Sequence, residues 1–426
     1  MAPISTSPSR RGGNPRPNPE EGSKAADLKG TEGKASLFQS FNPYHNAGAD
    51  DIPDEEEDYK HAGLKPAFPK DLVYEPYEPI HGVRDRGLFA DRSKASLLKA
   101  CSDVTDLTVN IGTELHGVDV LSLSPAQKDE LALLVAERGV VVLRNQKLTG
   151  EQLRDWGRYF GPPERPLHQH PSSGVPKQRG LDELHVVWHE ETMRPSEASY
   201  SRTDIWHSDV TYEVNPPGIT GLYNILNPAN GGGDTLFSSC YGLYDAFSPE
   251  MQTYLSSLSA VHSGLEQAEG AAAAGVHLRR PGIKTVHPLV RTNPVTGWKS
   301  IFVNPAFTRE IVGVPKSESD AVLRMLYEMM IVNSDLTLRV KWQEGTLVLW
   351  ANDSTVHSAT YDHWTPDRSC RRHAIRFAAT GEIPSLYLPD GTEGRSRREA
   401  LWEVNGWPVE ALRERRKQKA NGGFKD

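Results

Sequence analysis

The sequence predicts a mainly β fold with flanking helices, an α+β arrangement built as a double-sheet jelly roll. Short strand-like runs recur in its second half: Gly221–Leu226, Ser300–Val303, Leu338–Trp342, Thr346–Trp350 and His373–Ala378. Clusters of Gly, Pro, Asn and Asp separate them. Two helical stretches interrupt, Ser248–Leu258, opened by Ser-Pro, and Glu318–Val332. Many short strands with long excursions suit two packed sheets better than a parallel sheet alternating with helices.

Taken in order, residues 1–35 are rich in Ser, Pro, Gly, Arg and Glu, and residues 50–58 run Asp-Asp-Ile-Pro-Asp-Glu-Glu-Glu-Asp. Neither stretch buries enough apolar area to offset its ordering entropy, so residues 1–60 are expected to form a disordered acidic tail. An N-terminal arm over 61–105 leads to a catalytic domain over 106–390, and a charged extension occupies 391–426. Leu107–Ile111 alternates apolar and polar residues and is expected to be the first strand. Ser124-Pro125 supplies an N-cap and first helical position, Leu131, Leu134 and Val135 an apolar stripe, and Gly139 a stop. Val140–Leu143 is a β-branched run for a buried strand. Thr149, with Gln152 three residues on, forms a capping box for a second helix ending at Gly161. The stretch after Gly394 is charge-rich and helix-permissive.

Bulk properties exclude several function classes. The net charge is −8, from 48 Lys and Arg against 56 Asp and Glu. No basic stripe with interleaved aromatics is present, so nucleic acid is not the expected partner. Nor is there an apolar run long enough to span a bilayer, or an apolar core behind the basic N-terminus that would mark a secretory signal. Cys101, Cys240 and Cys370 are odd in number and lack metal-ligand spacing, which fits a reducing compartment and a cytoplasmic location.

The chemistry centres on Trp206-His207-Ser208-Asp209-Val210. On a strand or just past its end, positions i and i+2 point the same way, so His207 and Asp209 can take adjacent positions on one ion. His357, in Thr-Val-His-Ser-Ala, is the candidate third ligand. Two His and one carboxylate on one face of an octahedron leave room for a cosubstrate and O2, as a non-haem Fe(II) centre requires. Among fifteen histidines a lone His-x-Asp arises by chance, with His207 a hydrogen-bonded core residue and Asp209 a cap.

Two downstream features shift the balance. Gly231-Gly232-Gly233 allows a positive-φ turn, is a poor phosphate cradle, and delivers the Thr235 hydroxyl onto a strand where it can meet a carboxylate. In Arg371-Arg372-His373-Ala374-Ile375-Arg376-Phe377, a strand puts Arg372, Ala374 and Arg376 on one face, Ile375 and Phe377 on the other. If the arginine face points inward, each guanidinium requires an anion; if outward, both are solvated charges.

Together these residues resemble the TauD/TfdA family of Fe(II)/2-oxoglutarate-dependent dioxygenases, and within it the fungal alkylsulfonate dioxygenases of taurine type. The resemblance is carried by residues 206–213, 215–218 (Asn-Pro-Pro-Gly), 232–237 (Gly-Gly-Asp-Thr-Leu-Phe), 287–294, 302–308 and 357–360 (His-Ser-Ala-Thr), within a span from about Val109 to Ala379. It implies a double-stranded β-helix barrel, with Fe(II), 2-oxoglutarate and O2 at the site. It implies His207, Asp209 and His357 as iron ligands and Thr235 with Arg372 as the 2-oxoglutarate carboxylate pair. Arg376 would meet the substrate anion and His170 would line the substrate pocket, with His168 close enough to leave that register open.

The implied reaction hydroxylates a small anionic organic substrate, an alkylsulfonate, to sulfite and an aldehyde, with succinate and CO2 as coproducts. Departures from the family pattern stand at Ala351, where an Asp is usual before Asn352, and at Ser173 and Thr203, which imply an altered substrate pocket. Competing readings are the same chemistry on a carboxylate or heterocycle, a non-catalytic cupin-like binding barrel, and a zinc hydrolase on the same triad. A homo-oligomer is left open.

Overall fold

The computed structural model describes residues 59–69, 71–172, 174–189, 201–273, 275–363 and 370–419. The expected tail up to residue 58, Ser173 and the last seven residues lie outside this set. Tyr59, at the near end of the tail, donates its hydroxyl hydrogen bond toward His373 Nδ1 at 2.7 Å and packs edge-on against Trp188.

The core is a sandwich of a large and a small sheet. Nine strands make the large sheet, in the spatial order Pro66–Ala67, Lys177–Gln178, Leu181–His189, Arg372–Thr380, Pro217–Leu226, Leu347–Ala351, Val140–Leu143, Thr113–His116 and Asp103–Asp106. All neighbours are antiparallel except Thr113–His116 beside Val140–Leu143. The small sheet places Thr235–Ser239 between Thr337–Val340 and Thr355–Ala359.

Alternation along the strands sorts side chains into two cores. Val140, Val142, Leu222, Val348 and Ala374 face the small sheet and meet Phe237, Leu338 and Trp342 there. Val141, Leu143, Tyr223, Leu349, Ile375 and Phe377 point the other way, onto Leu131, Leu134 and Val135 of helix Pro125–Arg138 and Leu153 and Trp156 of helix Gly150–Arg158. Both faces of Val140–Leu143 are therefore buried, which is why the strand is apolar at every position. A third core covers the outer side of the small sheet, where helices Cys240–Ala246, Pro249–Ser256 and Lys316–Val332 pack.

The helix punctuation falls where the sequence marks it. Ser124 and Thr149 each close a capping box, with Gln127 and Gln152, and Gly139 ends the first helix at φ 74°. The second helix stops at Arg158, three residues before Gly161.

Leu107–Ile111 is not a strand. It is the loop of a hairpin between Asp103–Asp106 and Thr113–His116. Thr108 Oγ1 accepts from the Ile111 amide at 2.9 Å and donates to the Ile111 carbonyl at 2.6 Å, which curls the segment, and Gly112 turns it at φ 89°. Only Ile111 and Leu107 of its apolar residues pack inward, while Val109 is 88% exposed. The local side-chain hydrogen bond outcompetes the ladder that the alternation suggested.

Candidate active site

The two sheets open at one end onto a cavity of about 260 Å³. His207, Asp209, His357, Thr235, Arg372, Arg376 and His170 all line it. His357 lies in the small-sheet strand Thr355–Ala359, opposite Phe237, and Thr235 pairs with Ala359 two residues along the same face. The arginine-bearing face of Arg372–Thr380 points inward, since Ile375 and Phe377 sit in the helix-side core.

His207 joins the small sheet by a single antiparallel bridge to His357, with amide-to-carbonyl bonds of 2.9 and 2.7 Å. This pairing brings the two imidazole centroids to 4.3 Å. The chain then turns, and Asp209 Oδ1 comes to 3.7 Å from His207 Nε2 and 3.9 Å from His357 Nε2. His207 Nδ1 donates to the Ile205 carbonyl at 2.8 Å, which fixes the tautomer and leaves the Nε2 lone pair facing Asp209. Burial first, then the neighbouring His207, lowers the His357 pKa to about 3, so that ring is neutral. Burial opposes ionisation of Asp209, but Arg376, His357 and His207 outweigh it and hold the carboxyl well below its usual range.

Asp209 Oδ2 is buried with no hydrogen-bond partner. Two imidazole nitrogens and a carboxylate with an unsatisfied buried oxygen converge within 4.8 Å, a donor set that fits a divalent metal of the non-haem iron type.

The backbone of Asp209 is held in place by Asn352, which the sequence left unmarked beside Ala351. Asn352 Oδ1 accepts from the Asp209 amide at 2.6 Å, and its Nδ2 donates to the carbonyls of Asp209 at 3.0 Å and Pro217 at 3.2 Å. Ala351 points into the helix-side core instead. The clamp has work to do, because Val210 next in sequence sits at φ 41°, a region that β-branched residues avoid at a cost of about 1–3 kcal/mol. Thr211 Oγ1 is pinned in turn by His262 at 2.8 Å and Asn304 at 3.1 Å.

At the other end of the arginine face, Thr235 Oγ1 accepts from Trp342 Nε1 at 3.0 Å, and the Arg372 guanidinium lies 5.5 Å from the Trp342 ring. Arg372 is 2% exposed. The glycine turn is required here: Gly233 has φ 80°, and a Cβ on it would stand 3.2 Å from Arg372 Cδ. Asp362 accepts from the Gly233 amide at 2.9 Å and from Arg339 at 2.8 Å, which fixes the turn and hence Thr235.

The tertiary structure also separates the two candidate pocket histidines. His170 is in the cavity wall; its Nδ1 accepts from the Ser172 amide at 3.2 Å, so Nε2 carries the proton as a donor. His168 turns away, donating to Glu213 Oε1 at 3.0 Å, while Arg280 grips both oxygens of Glu213 at 2.8 and 3.1 Å. Thr203 is exposed and forms no part of the wall, so that departure does not reach the cavity. His185, unpredicted, does line it.

Glu213 makes an acid-stability prediction. Burial raises its pKa, but the His168 hydrogen bond and Arg280 win and bring it from 4.5 to about 2. A depressed folded-state pKa contributes stability that is complete above pH 4.5 and is lost as pH falls through 2. Glu213→Gln should be less stable at neutral pH and show a flatter decline between pH 4.5 and 2, measured by denaturant titration; an unchanged slope would refute the assignment.

Comparison with known proteins agrees with this geometry. The family model described as taurine catabolism dioxygenase TauD, TfdA family matches residues 103–377. A Schizosaccharomyces pombe protein named for alpha-ketoglutarate-dependent sulfonate dioxygenase activity is 41% identical over 301 residues, spanning 70% of this chain and 75% of that one. The alpha-ketoglutarate-dependent sulfonate dioxygenase of Saccharomyces cerevisiae is 38% identical over 315 residues, spanning 71% and 74%. The crystal structure of a taurine dioxygenase from Burkholderia xenovorans superposes with a TM-score of 0.56 at 31% identity, covering 68% of this chain and 92% of that one.

Proposed function

The chain belongs to the TauD, TfdA family and is a 2-oxoglutarate-dependent dioxygenase, and from that premise we propose that it hydroxylates a small alkylsulfonate at the carbon bearing sulfur. The observation that carries this reading is Arg376. Its guanidinium is set in the cavity wall and touches Asp209 Oδ1 at 2.6 Å, so an anion docked on it brings its neighbouring carbon beside the triad. The names of the yeast relatives support a sulfonate as that anion.

His207, Asp209 and His357 would hold Fe(II), their two nitrogens and one carboxylate leaving the cavity side of the ion for other ligands. When bound, iron with 2-oxoglutarate and O2 supplies the oxidising power for C–H hydroxylation, with succinate and CO2 as coproducts. The chain positions the reactants and excludes water. Arg372 and Thr235 receive the distal carboxylate of 2-oxoglutarate. Arg376 and the His170 Nε2–H grip the sulfonate, while Ile205, Val210 and Phe307 close the cavity with apolar surface. The 1-hydroxysulfonate formed then loses its hydroxyl proton. As the C=O bond forms, the C–S bond breaks and its electron pair leaves with sulfite.

No helix among the described residues is long and apolar enough to cross a membrane. The three cysteines are unpaired, which supports the cytoplasm as the proposed location. The function is tested by incubating the iron-loaded enzyme with 2-oxoglutarate and a panel of alkylsulfonates, aryloxyacetates and xanthine, reading succinate and sulfite together. Equal yields of both with a sulfonate are expected. Substrate-dependent succinate without sulfite, obtained on a carboxylate alone, would replace the sulfonate reading.

A further inference from the structure

Beyond Arg376 the cavity runs into an excess of basic groups that one sulfonate does not account for. In the large sheet Arg376 lies directly opposite His185, and His185 directly opposite Lys177. Opposed residues of an antiparallel sheet share a face, so three basic side chains stand in one row across three strands. Arg376 has Asp209 as its partner, and burial, then Arg376, pushes the His185 imidazole well below its ordinary range, so the group of the row left without an anion is Lys177. Lys177 is 2% exposed and among the described residues pairs with no carboxylate. The Tyr74 ring centroid lies 6.0 Å from its Nζ.

A second buried cation stands behind the same wall. Arg279 is 0% exposed, and its Nη1 donates to the carbonyls of Ser172 at 2.9 Å and Val175 at 3.1 Å. Ser172 and Val175 both line the cavity. Arg279 Nε and Nη2 have no hydrogen-bond partner. A guanidinium does not shed its proton, so this charge is retained. The neighbouring Arg280 and His168 differ, for both have Glu213 as their anionic partner. Asp182 acts on Lys177 and Arg279 only at longer range.

Taking the Arg376–sulfonate reading as its basis, we propose that the cavity wall at Ser172, Val175 and His185, with Lys177 beside His185 in the same row and Arg279 behind it, seats a second anionic group. The preferred substrate is then an alkanesulfonate bearing a carboxylate or second sulfonate a few carbons away, and an aminosulfonate is disfavoured. Strands about 4.8 Å apart put the Arg376 and Lys177 backbones roughly 10 Å from each other. Both side chains stand on the same face of the sheet, and that span suits two anions on a short alkyl chain. An ammonium at the same place would face Lys177 and Arg279, and Asp209 is the only carboxylate among the described residues of the wall. Burial, then Arg279, pushes the Lys177 amine below its ordinary range, and a bound anion would relieve either the unpaired charge or the lost proton.

Three probes of matched size test this on the iron-loaded enzyme with 2-oxoglutarate: 3-sulfopropanoate, 1-propanesulfonate and taurine. The expected order of kcat/KM for sulfite release is 3-sulfopropanoate first and taurine last, at least tenfold apart. Calorimetric Kd values measured without oxygen should follow the same order. In Lys177→Met the ratio of 3-sulfopropanoate to 1-propanesulfonate should fall at least tenfold in both measurements. Lys177→Gln serves if the Met variant does not fold, and the wild-type order stands as a test without either. Taurine equal to or better than 3-sulfopropanoate, or a ratio unmoved by the substitution, overturns the proposal while leaving the sulfonate reading intact. If none of the three binds or releases sulfite, the sulfonate reading fails and this proposal with it.

Discussion

Asp209→Ala is expected to abolish sulfite and succinate formation, with a loss of more than about a thousandfold, and to remove stoichiometric Fe(II) binding. The carboxylate is the one anionic donor of the triad, and both imidazole Nε2 atoms face it within 3.9 Å. Its loss also strips Arg376 of the partner held at 2.6 Å, so the metal-free variant should melt below the metal-free wild type. Asn352→Ala provides the graded comparison. All three donors remain, but the Asp209 backbone loses the amide and carbonyl bonds that hold it against the strained Val210. Metal affinity should drop by about 10–100-fold, the scale typical of groups that orient a ligand. Metal titration of the purified apoproteins separates these outcomes. Full Fe(II) occupancy in Asp209→Ala would remove the triad from the mechanism.

Arg372→Ala is expected to raise the KM for 2-oxoglutarate by roughly a hundredfold or more, since truncating one partner of a buried charge pair costs about 2–5 kcal/mol. Arg372 is buried between the glycine turn and Trp342, where water cannot substitute for it. The sulfonate KM should move far less, because Arg376 stands two strand repeats away on the same face. Arg372→Lys should recover only part of the loss, as an ammonium cannot reproduce the planar two-point grip on a carboxylate. An unchanged 2-oxoglutarate KM in Arg372→Ala would move the cosubstrate elsewhere in the cavity.

Much of the local architecture was legible because short-range rules govern it. The N-cap at Ser124, the capping box at Thr149, the stop at Gly139 and the apolar strand Val140–Leu143 all depend on residues within a few positions of one another. The two-residue period also put Arg372 and Arg376 on one face of their strand, and the burial of Ile375 and Phe377 in the helix-side core then turned that face inward. Where local signals competed, pattern misled: the alternation at Leu107–Ile111 was overridden by the Thr108 hydroxyl closing its own turn.

By itself the sequence determined which chemical groups the protein owns and how they sort onto faces: the His207–Asp209 pair, the two arginines on one strand face and Thr235 after its glycines. Tertiary structure alone decided who meets whom across the fold. It turned His168 to Glu213 and His170 to the cavity, and it placed Asn352 on the Asp209 backbone 143 residues away. Strand register aligned Lys177, His185 and Arg376 in one row. The physical reason is that a face is set by the two-residue period of a strand, which is readable locally. Register is set by packing and turns summed over the whole sheet, and a slip of one residue would have reversed every assignment.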